Sequence, residues 1–163
     1  IHRFHYLEPI GRYLLLDWVA RHVDQASLAE ISLPPFEFPE TWFADMNIKY
    51  ETQFPTPMGR VIDVSLLNGM PVGPGTFTAR IHDPICPWNE GVWKFKSEDG
   101  LLQVSKVKTP ECNLTIQGVS AIVYGTHDPE TFSLRGWGDP DLEMQSRIRL
   151  MFPAQLPFIY EQF

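Results

Sequence analysis

The sequence feature that most restricts the fold is a series of runs in which apolar and polar residues alternate, two of them joined by a tight turn. In residues 76–82 and 92–96, apolar side chains alternate with polar ones, as in strands with one buried face. Glu98-Asp99-Gly100 favours a hairpin turn, and residues 101–107 are the expected returning strand. With a further strand predicted at 112–117, an antiparallel meander is expected. The predicted core residues of the first two strands are Phe77, Ala79, Ile81, Trp93 and Phe95.

After the predicted meander, the spacing of the apolar residues changes from that of strands to that of helices. Residues 118–124 are a short helix candidate. A second helix is predicted to begin with Asp139 as N-cap and Pro140 in its first turn, and Pro153 is expected to end it. Strands followed by helices that cover one face of the sheet define an α+β fold. The predicted apolar face of the second helix consists of Leu142, Ile148, Met151 and Phe152.

The N-terminal third has a different order of elements. Residues 1–8 alternate like a strand, and a helix is predicted at 10–22, with Pro9 at its first position. Short strands are predicted at 28–33, 50–54 and 59–64. A strand–helix–strand order favours an α/β domain, here cut off at its front. The apolar face expected for the helix consists of Tyr13, Leu14, Leu15, Trp18 and Val19.

Charge and composition exclude some classes of function. The net charge is −7 and there is no basic block, which argues against a nucleic-acid partner. No run approaches the roughly 20 apolar residues of a membrane span, so none is predicted. The two cysteines form no CxxC pair, which favours a reducing cytoplasm as the location. Because the chain begins at Ile1 rather than Met, we expect a fragment, a processed chain or a partial chain.

The run from His82 to Trp93 is the most distinctive local motif. Its prolines and tryptophans favour a rigid connection between two strands. A zinc site is disfavoured because His82, Asp83 and Cys86 supply only three of the four ligands that a structural site needs. Cys86 has no evident activating base, so a catalytic cysteine is disfavoured as well. The structural interpretation is preferred, and no metal is predicted.

Two other motifs resemble catalytic or cofactor-binding loops only superficially. Gly118-Val119-Ser120 begins like a nucleophile elbow, but Ile122 stands where the second glycine is needed. The glycines of 135–138 look like a pyrophosphate loop, but no strand leads into them and Pro140 follows. Neither motif is interpreted as a site.

The last eight residues, 156–163, are strongly apolar and aromatic for a chain end. Such a tail is expected to dock, which would put the α-carboxylate of Phe163 in a partly buried setting. Desolvation raises the pKa of a carboxyl group towards the range that is useful for a general base. The alternative from the residues alone is a packed tail whose carboxylate stays exposed.

Several motifs together resemble one family, the "enhanced intracellular survival" N-acetyltransferases of the GNAT superfamily. Residues 58–64 (MGRVIDV) are similar to the start of that family's sterol-carrier-like domain, and 82–91 (HDPICPWNEG) is its most specific match. Weaker matches follow in the right order at 113–116, at 121–125 and in the closing residues 157–163. The resemblance implies that residues 1–57 end a second GNAT domain and that 58–163 form the sterol-carrier-like domain. Asn113 departs from the family, where an acidic residue is common.

The resemblance also implies an activity, acetyl transfer from acetyl-CoA to an amine. By resemblance, the terminal carboxylate of Phe163 would be the general base in the first domain's active site, and Glu161 would help to bind a cationic amine. The partners implied are the amine, the protein's own N-terminal GNAT domains and further copies in a homo-oligomer. Because the acetyl-CoA loop belongs to the absent N-terminal domain, this chain alone is expected to be inactive.

Two other functions are kept as alternatives. Sterol-carrier-like folds can hold an acyl chain or a sterol in an apolar tunnel. A continuous tunnel between the sheet and the helix predicted at 139–152 would favour this function, and a filled core would count against it. The domain could also be purely structural and drive assembly.

Overall fold

The computed structural model of the protein describes residues 4–44, 47–51 and 58–159. These residues divide into two units, one within Ile1–Phe54 and Phe158–Phe163 and the other within Pro55–Pro157. Each unit has its own cluster of buried apolar side chains. The assignment of residues 1–57 to the end of an acetyltransferase domain stays a prediction.

The second unit is built on a four-stranded mixed sheet. Strands β1 (Thr76–His82), β2 (Gly91–Glu98) and β3 (Leu101–Lys106) pair antiparallel, which confirms the first three strands of the predicted meander. Strand β4 (Cys112–Thr115) departs from it, because the chain returns across the sheet and β4 pairs parallel to β1. The resulting strand order is β3-β2-β1-β4.

The hairpin between β2 and β3 follows from its two turn residues. Asp99 has φ 52° and Gly100 has φ 77°, so both central residues lie in the left-handed region. This is the type I′ arrangement, whose twist matches that of the flanking strands and which Asp-Gly favours. The predicted turn is confirmed, and it pairs Glu98 with Leu101.

Helices α2 (Ile116–Tyr124), α3 (Phe132–Arg135) and α4 (Leu142–Met151) accompany the sheet. The α2 helix begins two residues earlier than predicted, since the Thr115 side chain caps it by accepting a hydrogen bond from the Gly118 N–H. The predicted N-cap of α4, Asp139, is wrong. The cap is Asp141, which accepts from the Met144 N–H, while the Asp139 carboxylate accepts from Asn113 instead.

One face of the sheet carries the core of the second unit. The predicted core residues of β1 and β2 are all buried, and the rings of Phe77 and Phe95 stack 4.8 Å apart. Ile148 and Met151 of α4 and Phe152, which caps its C-terminus, are buried as predicted, but Leu142 is 80% exposed and was wrongly assigned to that face. The mixed sheet with its helices confirms the α+β fold class.

The first unit contains helix α1 (Pro9–Ala20), with Pro9 at its first position as predicted. The described residues of the predicted strands at 1–8 and 28–33 form no strand, and most of the strand predicted at 50–54 lies outside the described residues. A small core joins Phe4, Leu16 and Trp42. The apolar face predicted for α1 is not buried in this structure, where four of its members are exposed: Tyr13, Leu14, Leu15 and Trp18.

Candidate functional site

The connection between β1 and β2 contains a completely buried carboxylate. Asp83 Oδ1 accepts hydrogen bonds from the backbone N–H groups of Ile85, at 3.2 Å, and Cys86, at 3.0 Å. Asp83 Oδ2 accepts from the side-chain amide of Asn89 at 2.9 Å. Both side chains are buried, with 0% exposure. These bonds hold the loop in one conformation, which supports the structural interpretation of the motif.

Arg60 completes the set of donors around Asp83, and sequence reasoning did not predict this role. Its guanidinium donates to Asp83 Oδ1 at 2.5 Å and forms the loop's ion pair. Burial opposes ionisation of Asp83, but the hydrogen bonds from Asn89, Cys86 N–H and Arg60 outweigh it and lower the pKa of the carboxyl. Asp83 therefore keeps its negative charge inside the fold. Its ion-pair partner, Arg60, lies 23 positions away in sequence.

The segment around Ile62 is held by side chains instead of a neighbouring strand. The Val61 N–H donates to Ser120 Oγ at 3.0 Å, and the Val64 N–H donates to Asn89 Oδ1 at 2.9 Å. The Ile62 carbonyl accepts from Trp88 Nε1 and from Asn89 Nδ2, both at 2.9 Å. The strand predicted at 59–64 is therefore wrong, because these backbone groups find their partners elsewhere.

The remaining reactive side chains of the loop are used structurally. His82 Nδ1 lies 2.9 Å from Glu90 Oε1, which also accepts from the Asp83 N–H. Cys86 is a buried free thiol. Throughout residues 4–44, 47–51 and 58–159, no three His, Cys, Asp or Glu side chains are grouped in a way that could hold a metal ion.

The two superficial loop motifs have structural positions. Gly118 lies inside α2, where its N–H is capped by Thr115, so the segment is no nucleophile elbow. Gly136 ends α3 in a left-handed conformation, with φ 65°, and the Trp137 carbonyl then accepts from the Thr115 N–H. The 135–138 loop therefore runs beside β4 and does not lead into the start of a helix.

An open recess of about 300 Å³ lies at the β1–β4 side of the sheet. Arg80 and His82 from β1 line it together with Asn113 and Thr115 from β4. These side chains lie on the sheet face opposite to the core, because along β1 and β4 they alternate with the buried Ile81 and Leu114. The core residue Leu114 also lines the recess, and most of the lining surface is apolar despite these polar side chains.

The chain leaves the second unit as a tail without regular structure after α4. The Gln155 N–H donates to the Gly125 carbonyl at 2.9 Å, and beyond it Leu156 and Ile159 are exposed. Phe163 and Glu161, the predicted catalytic and substrate-binding residues, lie outside the described residues. Their roles stay predictions.

A match to a protein family covers most of the second unit. Residues 65–160 match the sterol carrier protein domain family, which is more than half of the chain. The chain belongs to the sterol carrier protein domain family. None of the curated proteins matches it.

The similar solved structures are of chains much longer than this one. A GCN5-related N-acetyltransferase from Anabaena variabilis superimposes with TM-score 0.57 at 18% identity, over 64% of this chain and 28% of that one. A conserved protein of unknown function from Enterococcus faecalis, described as a probable N-acyltransferase, gives 0.57 at 25% identity over the same shares. Eis1 from Mycobacterium abscessus gives 0.53 at 17% identity, over 62% and 26%. The chain thus spans about a quarter of these proteins, and its fold is related to theirs.

No helix among the described residues is both long enough and apolar enough to cross a membrane.

Proposed function

We propose that this chain is the C-terminal part of an N-acyltransferase of the enhanced intracellular survival type, which transfers an acetyl group from acetyl-CoA to an amine. The observation that carries the proposal is a sterol carrier protein domain whose fold matches about a quarter of much longer chains described as N-acetyltransferase or probable N-acyltransferase. The Enterococcus faecalis protein, at 25% identity, gives the strongest support beyond the fold. Residues 1–57 are then the end of the second GNAT domain, and 58–163 the sterol-carrier-like domain.

The tail would supply the base for this reaction. The nitrogen of the amine forms a bond to the thioester carbonyl carbon, the carbon–sulfur bond breaks, and CoA leaves as the thiol. Before the attack the substrate ammonium must lose a proton, and the α-carboxylate of Phe163 would accept it. This role requires that the natural protein ends at Phe163. Docking of the apolar tail in the full-length protein would desolvate the carboxylate and raise its pKa towards that of a useful base.

The acceptor is expected to be a cationic amine. The chain carries a net charge of −7, and Glu161 would add a negative charge close to Phe163. Polyamines, aminoglycosides and lysine side chains are the classes to test. The acetyl-CoA site would belong to the N-terminal GNAT domain, which makes this chain alone inactive in the proposal.

The proposal is tested on the full-length natural protein. It is incubated with acetyl-CoA and a panel of the three amine classes, and acetylated products are identified by mass spectrometry. Formation of an acetylated amine that depends on the enzyme supports the proposal. Hydrolysis of acetyl-CoA without any acetylated acceptor, or no consumption at all across the panel, contradicts it.

Lipid binding is a second candidate function because the family is that of sterol carrier proteins. Bulky side chains fill the space between the sheet and α4: Phe77, Phe95, Ile148 and Met151 are each no more than 2% exposed. The filled core counts against an apolar tunnel. A titration of this chain with a fluorescent fatty acid and a fluorescent sterol separates the two functions, because saturable binding with one site per chain would favour the carrier.

A further inference from the structure

The sheet face opposite to the core, which we call the outer face, carries cations on two adjacent strands. Arg80 of β1 and Lys94 of β2 each lie between two buried neighbours, so both side chains point away from the core. In the register of these strands, Arg80 pairs with Val92 and Thr78 pairs with Lys94. The two cations are therefore diagonal neighbours, with Cα atoms roughly 7–8 Å apart. Two positive charges share one part of the outer face.

The connection between β3 and β4 brings a third cation to the outer face. At its start, the Val107 N–H donates to the Val92 carbonyl at 2.9 Å. At its end, the Glu111 N–H donates to the Thr78 carbonyl at 3.1 Å, and the Glu111 carboxylate accepts from the Thr78 hydroxyl at 3.0 Å. Because that hydroxyl lies on the outer face, the connection crosses this face. Lys108 lies between the two fixed ends and is exposed.

This connection has almost no slack. It runs from the position of β3 to that of β4 at the other side of the sheet, which is three strand spacings or roughly 14 Å. The four steps from Val107 to Glu111 reach at most about 14 Å when fully extended. Val92 is only 7% exposed although it lies on the outer face, as expected beneath such a connection. Lys108 is therefore held in place before any partner binds, which lowers the entropy cost of binding.

The three cations form no ion pair with any described residue, unlike the other basic side chains of the second unit. Each of the others is bound to a carboxylate or a carbonyl group or lies over a tryptophan ring: Arg60, Lys96, Lys106, Arg135, Arg147 and Arg149. The carboxylates that border the outer face are bound by other groups: Glu98 by Lys96, Glu111 by Arg147 and Asp139 by Asn113. Lys94 acts on Glu98 only at a distance. The outer face thus carries unpaired positive charge on a chain whose net charge is −7.

The shape and the charge of this patch favour a short acidic peptide segment as the partner. A small phosphate needs donors that converge on one point, whereas these cations lie on an open face and on separate segments. A membrane or a nucleic acid is much wider than the patch and would also be repelled by the net charge of −7. A short segment that lies within the screening length, roughly 8 Å at physiological salt, interacts mainly with the patch itself.

We propose that the outer face is a docking site for an acidic segment of a partner protein, whose carboxylates pair with Arg80, Lys94 and Lys108. Arg80 binds a carboxylate through two parallel hydrogen bonds, and the two lysines act as point charges. This docking site does not depend on the proposed acetyl transfer.

The binding is tested by fluorescence anisotropy on this 163-residue chain, with a labelled peptide of about ten glutamates that extends over roughly 33 Å. A glutamine peptide of the same length is the neutral probe. The glutamate peptide should bind at one saturable site per chain. Its affinity should fall roughly tenfold between about 50 and about 300 mM salt, because salt screens exposed ion pairs. Absence of saturable binding, or equal binding of the glutamine peptide, would overturn the inference.

Substitutions locate the peptide on the outer face. The double variant Arg80→Gln, Lys94→Gln should weaken binding roughly tenfold and Lys108→Gln roughly threefold. The matched control is Arg21→Gln, Lys49→Gln, which changes the net charge by the same amount at side chains that are 75% and 84% exposed. No substituted side chain belongs to either core, so the circular dichroism spectra should be unchanged. Equal weakening by the two double variants would show that only net charge matters and would refute a docking site.

Two further probes test the class of partner. Inorganic triphosphate and vesicles that contain phosphatidylserine should both bind more weakly than the glutamate peptide. If either binds more tightly and loses this affinity in the Arg80→Gln, Lys94→Gln variant, the assignment to an acidic peptide is wrong.

Discussion

Asp83 Oδ2 and Asn89 Nδ2 form a hydrogen bond of 2.9 Å between two completely buried polar side chains. The same asparagine binds the backbone of the segment before the sheet, through Val64 N–H and the Ile62 carbonyl. The pair therefore joins the β1–β2 loop to a segment that has no strand of its own. The distinctive run from His82 to Trp93 therefore has a structural role.

Asn89→Ala should destabilise the second unit strongly. The substitution leaves the Val64 N–H without its acceptor and removes one donor to Asp83, and each unsatisfied buried group costs about 1–3 kcal/mol. We expect the free energy of unfolding in urea to fall by about 2–4 kcal/mol. Asn68→Ala is the control, because the hydrogen bonds of Asn68 to Ser65 and Val104 are exposed and should count for less than about 1 kcal/mol. Equal losses in the two variants would refute the role of Asn89.

Substitutions in α4 test which of its apolar residues form the core. Ile148 is 1% exposed and Leu142 is 80% exposed, although the sequence predicts both on one face. Ile148→Ala should lower the free energy of unfolding by about 2–5 kcal/mol, since it removes buried methyl and methylene groups. Leu142→Ala should change it by less than about 0.5 kcal/mol. Urea denaturation followed by tryptophan fluorescence measures both, and a larger loss for Leu142→Ala would contradict the structure.

Acid should destabilise the fold through carboxyl groups that are hydrogen-bonded or ion-paired. Their pKa values are lowered in the folded state, whereas in the unfolded chain such groups titrate near 4. Their stabilisation is complete above that pH and is lost as the pH falls through the lowered folded values. The groups are Asp63, Asp83, Glu98, Glu111, Asp128 and Asp139.

The measurement is the urea concentration at which half of the protein is unfolded, at a series of pH values from 7 to 3. We expect little carboxyl-linked change above pH ~5 and a steep fall below pH ~4. Glu111→Gln should make that fall shallower, because the hydrogen bonds from Arg147 and Thr78 that lower the pKa of Glu111 favour its ionised form. A midpoint that does not change between pH 5 and pH 3 would be inconsistent with the lowered pKa values.

Cys112 should be unreactive in the folded protein. Burial raises the pKa of its thiol to about 12, and the neighbouring carboxylates of Asp139 and Glu111 act in the same direction. In a Cys86→Ser variant, a thiol reagent such as DTNB should therefore react with Cys112 only after denaturation. Rapid stoichiometric reaction at pH 8 without denaturant would show that Cys112 is accessible and ionises readily.

Local patterns in the sequence predicted the antiparallel part of the sheet. The alternation around Phe77 and Phe95 sets which side chains face the core, and Asp99-Gly100 sets the turn. Strand β4 could be recognised as a strand, but its parallel pairing with β1 has no local signal, because it depends on a long connection.

The misassigned elements share a physical cause. The sequence predicts a strand at residues 59–64, yet their hydrogen-bonding partners are the side chains of Ser120, Asn89 and Trp88, which lie far away in sequence. The cap of α4 was misplaced because Asp139 and Asp141 are both good N-cap residues, and only the tertiary contact of Asp139 with Asn113 decides between them. Arg60 carried no signal of its role for the same reason.

The roles of Phe163 and Glu161 follow from family resemblance alone, and they remain predictions for the longer protein.

The most direct measurement of the central claim is the rate of CoA release by the full-length natural protein, with acetyl-CoA and its best amine acceptor. The intact mass of that protein first establishes whether its chain ends at Phe163. The wild type is then compared with a chain that lacks Phe163 and with one extended by a single residue. The account predicts amine-dependent release by the wild type and its loss in both variants, with the circular dichroism spectrum unchanged. Equal turnover in all three proteins would contradict the terminal carboxylate as base, and no amine-dependent release by the wild type would contradict the acyltransferase itself.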